Sequence, residues 1–236
     1  MLDAWLDLVL GSRCVCCTEP GRALCGACAA ALPTTATAAW PNPTPIGLVR
    51  PASVGEYADP LRALIVEHKE HGRLALARPL GGLLAVAVLD VLTAGGAGCQ
   101  PFDLVPMPSH PAVVRERGHD PLLRISRAAA ARLRREGVDC RVRRSLRVAG
   151  RPGDQAGLSA SGRAGNVRGR FAARSRFDPG RRVVLVDDVI TTGSTLREAQ
   201  RALEERGTVP LGAATIAATR RRLPQPPDPA PGYRIP

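Results

Sequence analysis

The sequence predicts an α/β protein, a mostly parallel sheet flanked by helices, with a small cysteine-rich module at its amino end. Three observations carry that expectation. Residues 183–186 read Val-Val-Leu-Val, an apolar and mainly β-branched run that suits a strand buried on both faces. Apolar runs of strand length alternate with stretches of helical periodicity between residues 52 and 219, the pattern of βα units. Ahead of them stand two Cys-x-x-Cys pairs, Cys14/Cys17 and Cys25/Cys28. The expected organisation is a metal-binding module at 1–32, a linker at 33–51, the α/β domain at 52–222 and a Pro-rich tail at 223–236.

Taken in order, Trp5, Leu6, Val9 and Leu10 make one apolar stripe of a short first helix. The four paired cysteines supply thiolates at a spacing suited to a tetrahedral metal ion. Structural zinc is the expected occupant, with an iron–sulfur cluster or disulfides as the competing uses. With every thiolate committed, no position stays open for catalysis. Gly21 and Gly26 are expected to make the tight turns, and Arg13 and Arg22 to offset negative charge. Cys16, Cys99 and Cys140 are left over as ordinary thiols. Residues 33–51, rich in Pro, Thr and Ala around Trp40, read as a linker or extended arm with no packed element.

A first strand is expected at 52–57. Asp59 is then placed to cap a helix through Leu61, Leu64 and Ile65, with His68 and Lys69 near its end and His68 as an ordinary helix-face residue. Residues 78–92 read as a largely buried helix, with Pro79 tolerated in its first turn. Its apolar run is too short for a bilayer and contains Asp90. A strand at 102–105 leads into a turn stiffened by Pro106, Pro108 and Pro111, followed by Arg115, Arg117 and Gly118. The turn is expected to hold its remaining N–H groups and these arginines toward an anion. His119 reads as a solvated loop residue. A helix at 122–136 carries Arg124, Arg127, Arg132, Arg134 and Arg135 on a solvated face, and a single strand is expected at 141–148. Residues 150–166, with Gln155, Arg163 and Asn166, form a polar, glycine-bearing loop long enough to fold over a ligand.

Strand 183–186 is expected to close on the acid pair Asp187–Asp188. Thr191, Thr192, Gly193, Ser194 and Thr195 then form a hydroxyl-and-glycine loop before a helix at 196–206 that Gly207 stops. A helix N-terminus with free N–H groups favours a phosphate. Gly193 lets backbone approach the anion. The carboxylates would repel that phosphate but accept hydrogen bonds from sugar hydroxyls. The implied ligand is a phosphate with a diol beside it, as in ribose 5-phosphate. A last strand is expected at 210–219.

Composition narrows the classes. The chain of 236 residues carries a net charge of +12, with residues 1–112 at −2 and residues 113–236 at +14. The positive charge thus lies in the half that bears the loop and suits a polyanionic ligand. Arginine supplies nearly all of it, since Lys69 is the only lysine, and aromatic residues are 3%, a poor supply for stacking single-stranded bases. Asp3 and Asp7 interrupt the apolar start with no basic segment before it, so no targeting segment or membrane role is expected and the cytoplasm is the expected location.

Residues 183–195 resemble the phosphoribosyl pyrophosphate (PRPP) motif of type I phosphoribosyltransferases. The wider set resembles the ComF (ComFC) family, phosphoribosyltransferase-like proteins linked to competence. That set is the four-cysteine knuckle; Leu64, Ile65 and Lys69; the turn from Val105 with Arg115, Arg117 and Gly118; Gln155, Leu158, Arg163 and Asn166; and the PRPP motif. The resemblance implies the type I phosphoribosyltransferase fold. It implies Asp187 and Asp188 on the ribose hydroxyls and residues 191–195 on the 5′-phosphate. Lys69, Arg115 and Arg117 would serve the pyrophosphate, and Gln155, Arg163 and Asn166 the lid. Mg²⁺ would accompany PRPP, an unnamed acceptor would receive the sugar, and single-stranded DNA or a DNA-uptake helicase is the implied macromolecular partner. After Gly118 the chain departs from the family pattern with His119, Asp120 and Pro121. Asp120 is expected to bring negative charge to the turn and Pro121 to remove a donor.

Overall fold

Val183, Val184, Leu185 and Val186 are each at most 1% exposed, and the sheet is arranged around them. The structure is a computed structural model that describes residues 12–98, 100–149, 169–174 and 177–219. The expected first helix with Trp5, Leu6, Val9 and Leu10, Cys99, the expected lid with Gln155, Arg163 and Asn166, and the tail from residue 220 lie outside the described residues.

In chain order the elements are α1 (Gly26–Ala30), β1 (Thr37–Ala38), β2 (Pro51–Glu56), α2 (Leu61–Lys69), a 3₁₀ turn (Leu74–Leu76), α3 (Ala77–Ala94), β3 (Phe102–Pro106), α4 (Pro111–Arg117) and α5 (Pro121–Arg135). They continue with β4 (Cys140–Val142), β5 (Leu146–Val148), β6 (Phe171–Ala173), β7 (Arg182–Ile190), α6 (Ser194–Glu204) and β8 (Gly212–Ala218). One sheet has the order β1-β2-β8-β7-β3-β4. Its pairs are parallel except β1 with β2. The two-residue alternation of a strand divides β7 between two cores. Val184 and Val186 face α3 and α5, whereas Val183 and Leu185 face α6 and the β5–β6 hairpin.

Helix α3 lies flat on the sheet with Leu80, Leu84, Ala87 and Val88 fully buried. The span Leu74–Ala94 is long and apolar enough to cross a membrane by composition, but here its apolar surface is the floor of the core. Gly81 lets α5 come close, since a Cβ there would lie 2.5 Å from the Cβ of Ala128 and 2.8 Å from the amide nitrogen of Ala129. Asp90, the charge in the run, binds Arg50 at 2.6 Å.

Several expectations are corrected. Pro60, not Asp59, is the N-cap of α2, and it makes no side-chain cap bond; Asp59 pairs with Arg62 at 3.3 Å instead. The strand expected at 141–148 is two short strands in different sheets, because Ser145 bonds back to Arg143 and turns the chain. The expected linker at 33–51 is packed. Thr37 and Ala38 pair with Ser53 and Ala52, and Leu48 is 7% exposed. Side chains of α6 hold its backbone: Gln200 accepts from the Val49 N–H at 2.9 Å and donates to the Gly47 carbonyl at 2.8 Å, and Arg197 donates to the Ile46 carbonyl at 3.0 Å.

The start of β7 is fastened by charge. Arg181, 6% exposed in its side chain, pairs with Asp103 of β3 at 2.8 Å and with Asp139 at 3.0 Å, and donates to the Phe102 carbonyl at 2.8 Å. Asp103 is 2% exposed. Removing one partner of a buried pair leaves an uncompensated charge and costs about 3–5 kcal/mol. Asp103→Ala is therefore expected to lower unfolding free energy by about 3 kcal/mol or more, read as a reduced denaturant midpoint with an unchanged slope.

Candidate functional site

Asp187 and Asp188 lie past the last β3–β7 pair, Pro106 with Val186. The strand does not close on them as the sequence suggests. It runs on through Ile190, because β8 keeps pairing with it as far as Ala218. The edge toward β3 is open there. The carboxylates turn back on their own strand: Asp187 Oδ1 accepts the Asp188 N–H and Asp188 Oδ1 accepts the Val189 N–H, both at 2.9 Å. Asp188 Oδ2 meets Lys69 Nζ at 2.7 Å. Both acids keep partial exposure. Desolvation, then the Asp188 charge, push the Asp187 carboxyl well above the ordinary carboxylate range. Burial alone would lower Lys69, but Asp188 and then Asp187 outweigh it and raise its pKa.

Beyond Ile190, Thr191 and Thr192 are exposed and Ser194 and Thr195 half-exposed. Gly193 has φ 72° and N-caps α6 without a side chain of its own, and the Thr192 hydroxyl oxygen accepts the Ser194 N–H at 3.4 Å. The glycine also has a structural cause. A Cβ at 193 would lie 2.9 Å from Pro41 and 3.0 Å from Leu48, so the arm at 41–48 rests on it.

The turn after β3 carries the remaining cations. Arg117, at the end of α4, is tied to Glu70 beside Lys69. Arg115 lines a cavity of about 360 Å³ with the Pro106–Ser109 turn, Arg144, Arg147 and Arg174. Those last three arginines escape a sequence reading, since Arg144 comes from the β4–β5 turn, Arg147 from β5 and Arg174 from just beyond β6. The only signal is the excess of arginine in the second half of the chain. Asp120 also lines this cavity and brings its negative charge to the turn, as expected, while it serves a second purpose. Its Oδ1 accepts the Leu123 N–H at 3.1 Å and the Ser109 hydroxyl at 3.3 Å as the N-cap of α5. Pro121 fills the first helical position, where no amide donor is needed.

The two histidines are also corrected. His68 is fully buried, with Nδ1 3.1 Å from the Arg73 carbonyl and Nε2 3.4 Å from that of Pro121. Burial lowers its pKa. His119 is half-buried, with its ring centroid 6.0 Å from that of His68. The arginines of α5 lie as expected on its exposed face, apart from half-buried Arg132, which reaches Glu136 and the Gly82 carbonyl.

The four cysteine sulfurs of Cys14, Cys17, Cys25 and Cys28 lie within 4.8 Å of one another, and those of Cys17 and Cys25 are 3.6 Å apart. Zinc–sulfur bonds of about 2.3 Å at tetrahedral angles separate sulfurs by about 3.8 Å, so the cluster could hold such an ion. Amides of Cys25 and Cys28 donate to Cys14 Sγ and Cys25 Sγ at 3.4 Å. Burial raises the Cys14 thiol, yet backbone donors from Cys25, Cys17 and Cys16 outweigh it and bring its pKa down to about 6. Gly21 turns the chain at φ 108°, as expected; Gly26 does not, since it starts α1, and Thr18 takes the second left-handed position at φ 65°. Cys16 packs on the main core, and Cys140 is buried with Sγ on the Ala130 carbonyl at 3.5 Å. Arg73 of the body donates to the Arg13 carbonyl at 2.8 Å and docks the module.

The family described as phosphoribosyl transferase domain matches residues 158–230. With the parallel sheet and its loop, this defines a type I phosphoribosyltransferase-like protein. Competence protein F of Haemophilus influenzae is 32% identical over 157 residues, 65% of this chain and 66% of that protein. The chain thus spans just under two thirds of that relative. Its similarity to that protein is joined by an amino-terminal four-cysteine cluster that could hold a metal ion. An orotate phosphoribosyltransferase of Pelotomaculum thermopropionicum is 39% identical over 64 residues, 23% of this chain and 34% of the enzyme. A solved hypoxanthine phosphoribosyltransferase of Trypanosoma cruzi aligns at 20% identity and a TM-score of 0.37, covering 64% of this chain and 70% of that one.

Two measurements follow. A strong zinc chelator at neutral pH is expected to release a single zinc per chain and lower the melting temperature, read by a colorimetric zinc assay beside a thermal melt. For Asp187, the native pKa is raised above the ordinary 3.8. The native state then holds more protons than the unfolded one above that value, so stability falls as pH rises through the interval between them. Asp187→Asn removes this cost. It is expected to be more stable than the parent at neutral pH, with the advantage vanishing below pH 3.8 in urea melts across pH.

Proposed function

We propose that the chain binds PRPP over the carboxyl end of β7 and transfers its phosphoribosyl group to an acceptor, with release of pyrophosphate. The supporting observation is the acid pair Asp187–Asp188, with Lys69 on one oxygen, directly ahead of a helix N-terminus capped by a glycine. In this reading Asp187 and Asp188 accept hydrogen bonds from the ribose hydroxyls. The N–H groups and hydroxyls of Thr191, Thr192, Gly193, Ser194 and Thr195 hold the 5′-phosphate. Lys69 orients Asp188 in the free protein and is the nearest cation to the leaving group. Arg115 joins Arg144, Arg147 and Arg174 around the pyrophosphate, and Arg117 holds the turn to α2 through Glu70. Gln155, Arg163 and Asn166 take the covering role that the family resemblance implies.

Mg²⁺, when bound, supplies a hard cation for the oxygens of the pyrophosphate and the diol. The chain's own contribution is positioning and electrostatics. As the bond from C1 to the pyrophosphate oxygen lengthens, its electron pair leaves with that oxygen, and positive charge grows on the ribose ring. The Asp187–Asp188 pair lies next to that charge, and the arginines face the departing anion.

The Haemophilus relative bears the name competence protein F, and a role tied to DNA uptake or nucleotide metabolism is proposed for this chain by that relation. The cytoplasm, where thiols stay reduced, suits the cysteine cluster. A second reading is a non-catalytic PRPP sensor that docks single-stranded DNA or a helicase-like partner. It is favoured by a groove of about 830 Å³ between the cysteine module and helices α3 and α5, lined by Arg78, Arg132 and Arg135.

Calorimetric titration of PRPP with Mg²⁺ is expected to show saturable binding that falls at least tenfold in Asp187→Ala/Asp188→Ala. Pyrophosphate release with an acceptor supports transfer, and binding without release for any acceptor supports the sensor. No binding to the parent chain overturns both.

A further inference from the structure

Helices α3 and α5 each bury one face in the core, and their outer faces meet the cysteine module along a groove of about 830 Å³. On α5 the groove takes Ala128, Ala131, Arg132 and Arg135, which share one side of the helix by their spacing of three and four. On α3 it takes Arg78 from the first turn, then Leu83 and Val86. Leu32 and Pro33, just after α1, form the opposite wall. None of its lining residues belongs to the loop at 191–195 or to the arginine cavity after β3. The groove is a separate surface.

It joins an apolar floor to a cationic rim. Arg78 and Arg135 are exposed, and among the described residues no carboxylate pairs with either. Arg135 Nε donates to the Ala131 carbonyl of its own helix at 3.3 Å. Arg132 is already committed to Glu136 and to the Gly82 carbonyl, so it shapes the rim without offering a free charge. Among the described lining residues there is no Asp, Glu or aromatic side chain. Arg124 and Arg127, exposed on the same helix, extend the positive field beyond the groove. The walls are fixed. Leu32 packs on the main core, and Arg73 holds the Arg13 carbonyl of the module at 2.8 Å. A groove already formed lowers the ordering cost of binding.

We propose that this groove docks an acidic amphipathic helix of a partner protein, with its aliphatic side chains on Leu32, Leu83 and Val86 and its carboxylates on Arg78 and Arg135. The proposal rests on the docking half of the second reading above, which it deepens, and not on PRPP binding. Apolar anchors one and two turns apart are how a helix fills such a groove. Exposed arginines at the rim select the sign of the partner's charge and speed encounter more than they add affinity. Nucleic acid fits less well. Its phosphates would meet the arginines, but its bases would find aliphatic side chains and no ring to stack on. A second copy of this chain also fits less well. A two-fold contact sets the same patch on both sides, and the exposed Arg78, Arg124, Arg127 and Arg135 would face like charges.

The test selects random helical peptides displayed on phage against the full chain and measures the best of them by fluorescence anisotropy. Oligo-dT is the nucleic-acid probe, and PRPP with Mg²⁺ is titrated separately by calorimetry. The selected peptides are expected to carry Leu, Ile or Met along one helical face and Asp or Glu beside it, and to bind more weakly as salt is raised. Arg78→Glu/Arg135→Glu should weaken the best peptide by about tenfold or more. Ala131→Trp, at an exposed position of the groove, should do the same by filling it. Both variants should keep the melting temperature and the PRPP affinity of the parent. Peptides that are not acidic, or whose binding is indifferent to both variants, overturn the proposal. Oligo-dT binding that the double variant abolishes overturns it in favour of a nucleic-acid surface, and self-association lost in that variant overturns it in favour of a contact between copies. PRPP binding with no peptide binding overturns this proposal alone. Peptide binding without PRPP binding overturns the PRPP reading and leaves the docking groove. Binding of neither overturns both.

Discussion

Two carboxylates on consecutive residues of a central strand are the constraint on which the site is built. Strand β7 outruns β3, and Asp187 and Asp188 occupy the stretch whose edge is open. The amide of the next residue takes up part of each negative charge, and Lys69 takes up more on Asp188. Lys69 can do so because α2 is fixed from below: Leu61, Leu64 and Ile65 are buried, and His68 is fully buried between the carbonyls of Arg73 and Pro121. The last turn of a helix is also where a cation is favoured by the aligned peptide dipoles. The core thus sets the position of the one ammonium that balances the acids.

The balance is incomplete, as the raised Asp187 carboxyl shows. A strand end that keeps two acids close together costs stability. The rest of the surroundings divides by charge. On the β3 side a proline-stiffened turn and four arginines face one cavity, and on the β8 side a tryptophan and a glutamate face another.

Much of this was legible in order along the chain. Helix α3 follows from its apolar run, α5 from the spacing of Leu122, Ile125, Ala129 and Leu133, and β7 from four apolar residues in succession. The cysteine pairs announced their cluster by spacing alone. What failed was whatever rested on distant partners. The arm at 33–51 has no hydrophobic period, yet Gln200 and Arg197 satisfy its backbone from α6. The capping role of Asp120 went unread because it depends on the amide of Leu123 in a helix that only then begins. His68 read as an ordinary helix-face residue, and nothing local says that two carbonyls from elsewhere close over it.

The sequence by itself determined the identity of the βα unit that carries Asp187, Asp188 and the loop at 191–195, and the four thiols of the cysteine module. Both are local: their residues are neighbours in the chain, and strand, turn and helix geometry place them together whatever the remainder does. The tertiary structure alone decided that Lys69 meets Asp188, that Arg115 is joined by Arg144, Arg147 and Arg174, and that Trp40 stands beside Thr191. Those groups are far apart in the chain. They meet because parallel pairing of β2, β8, β7 and β3 brings the carboxyl ends of all four strands to one edge of the sheet.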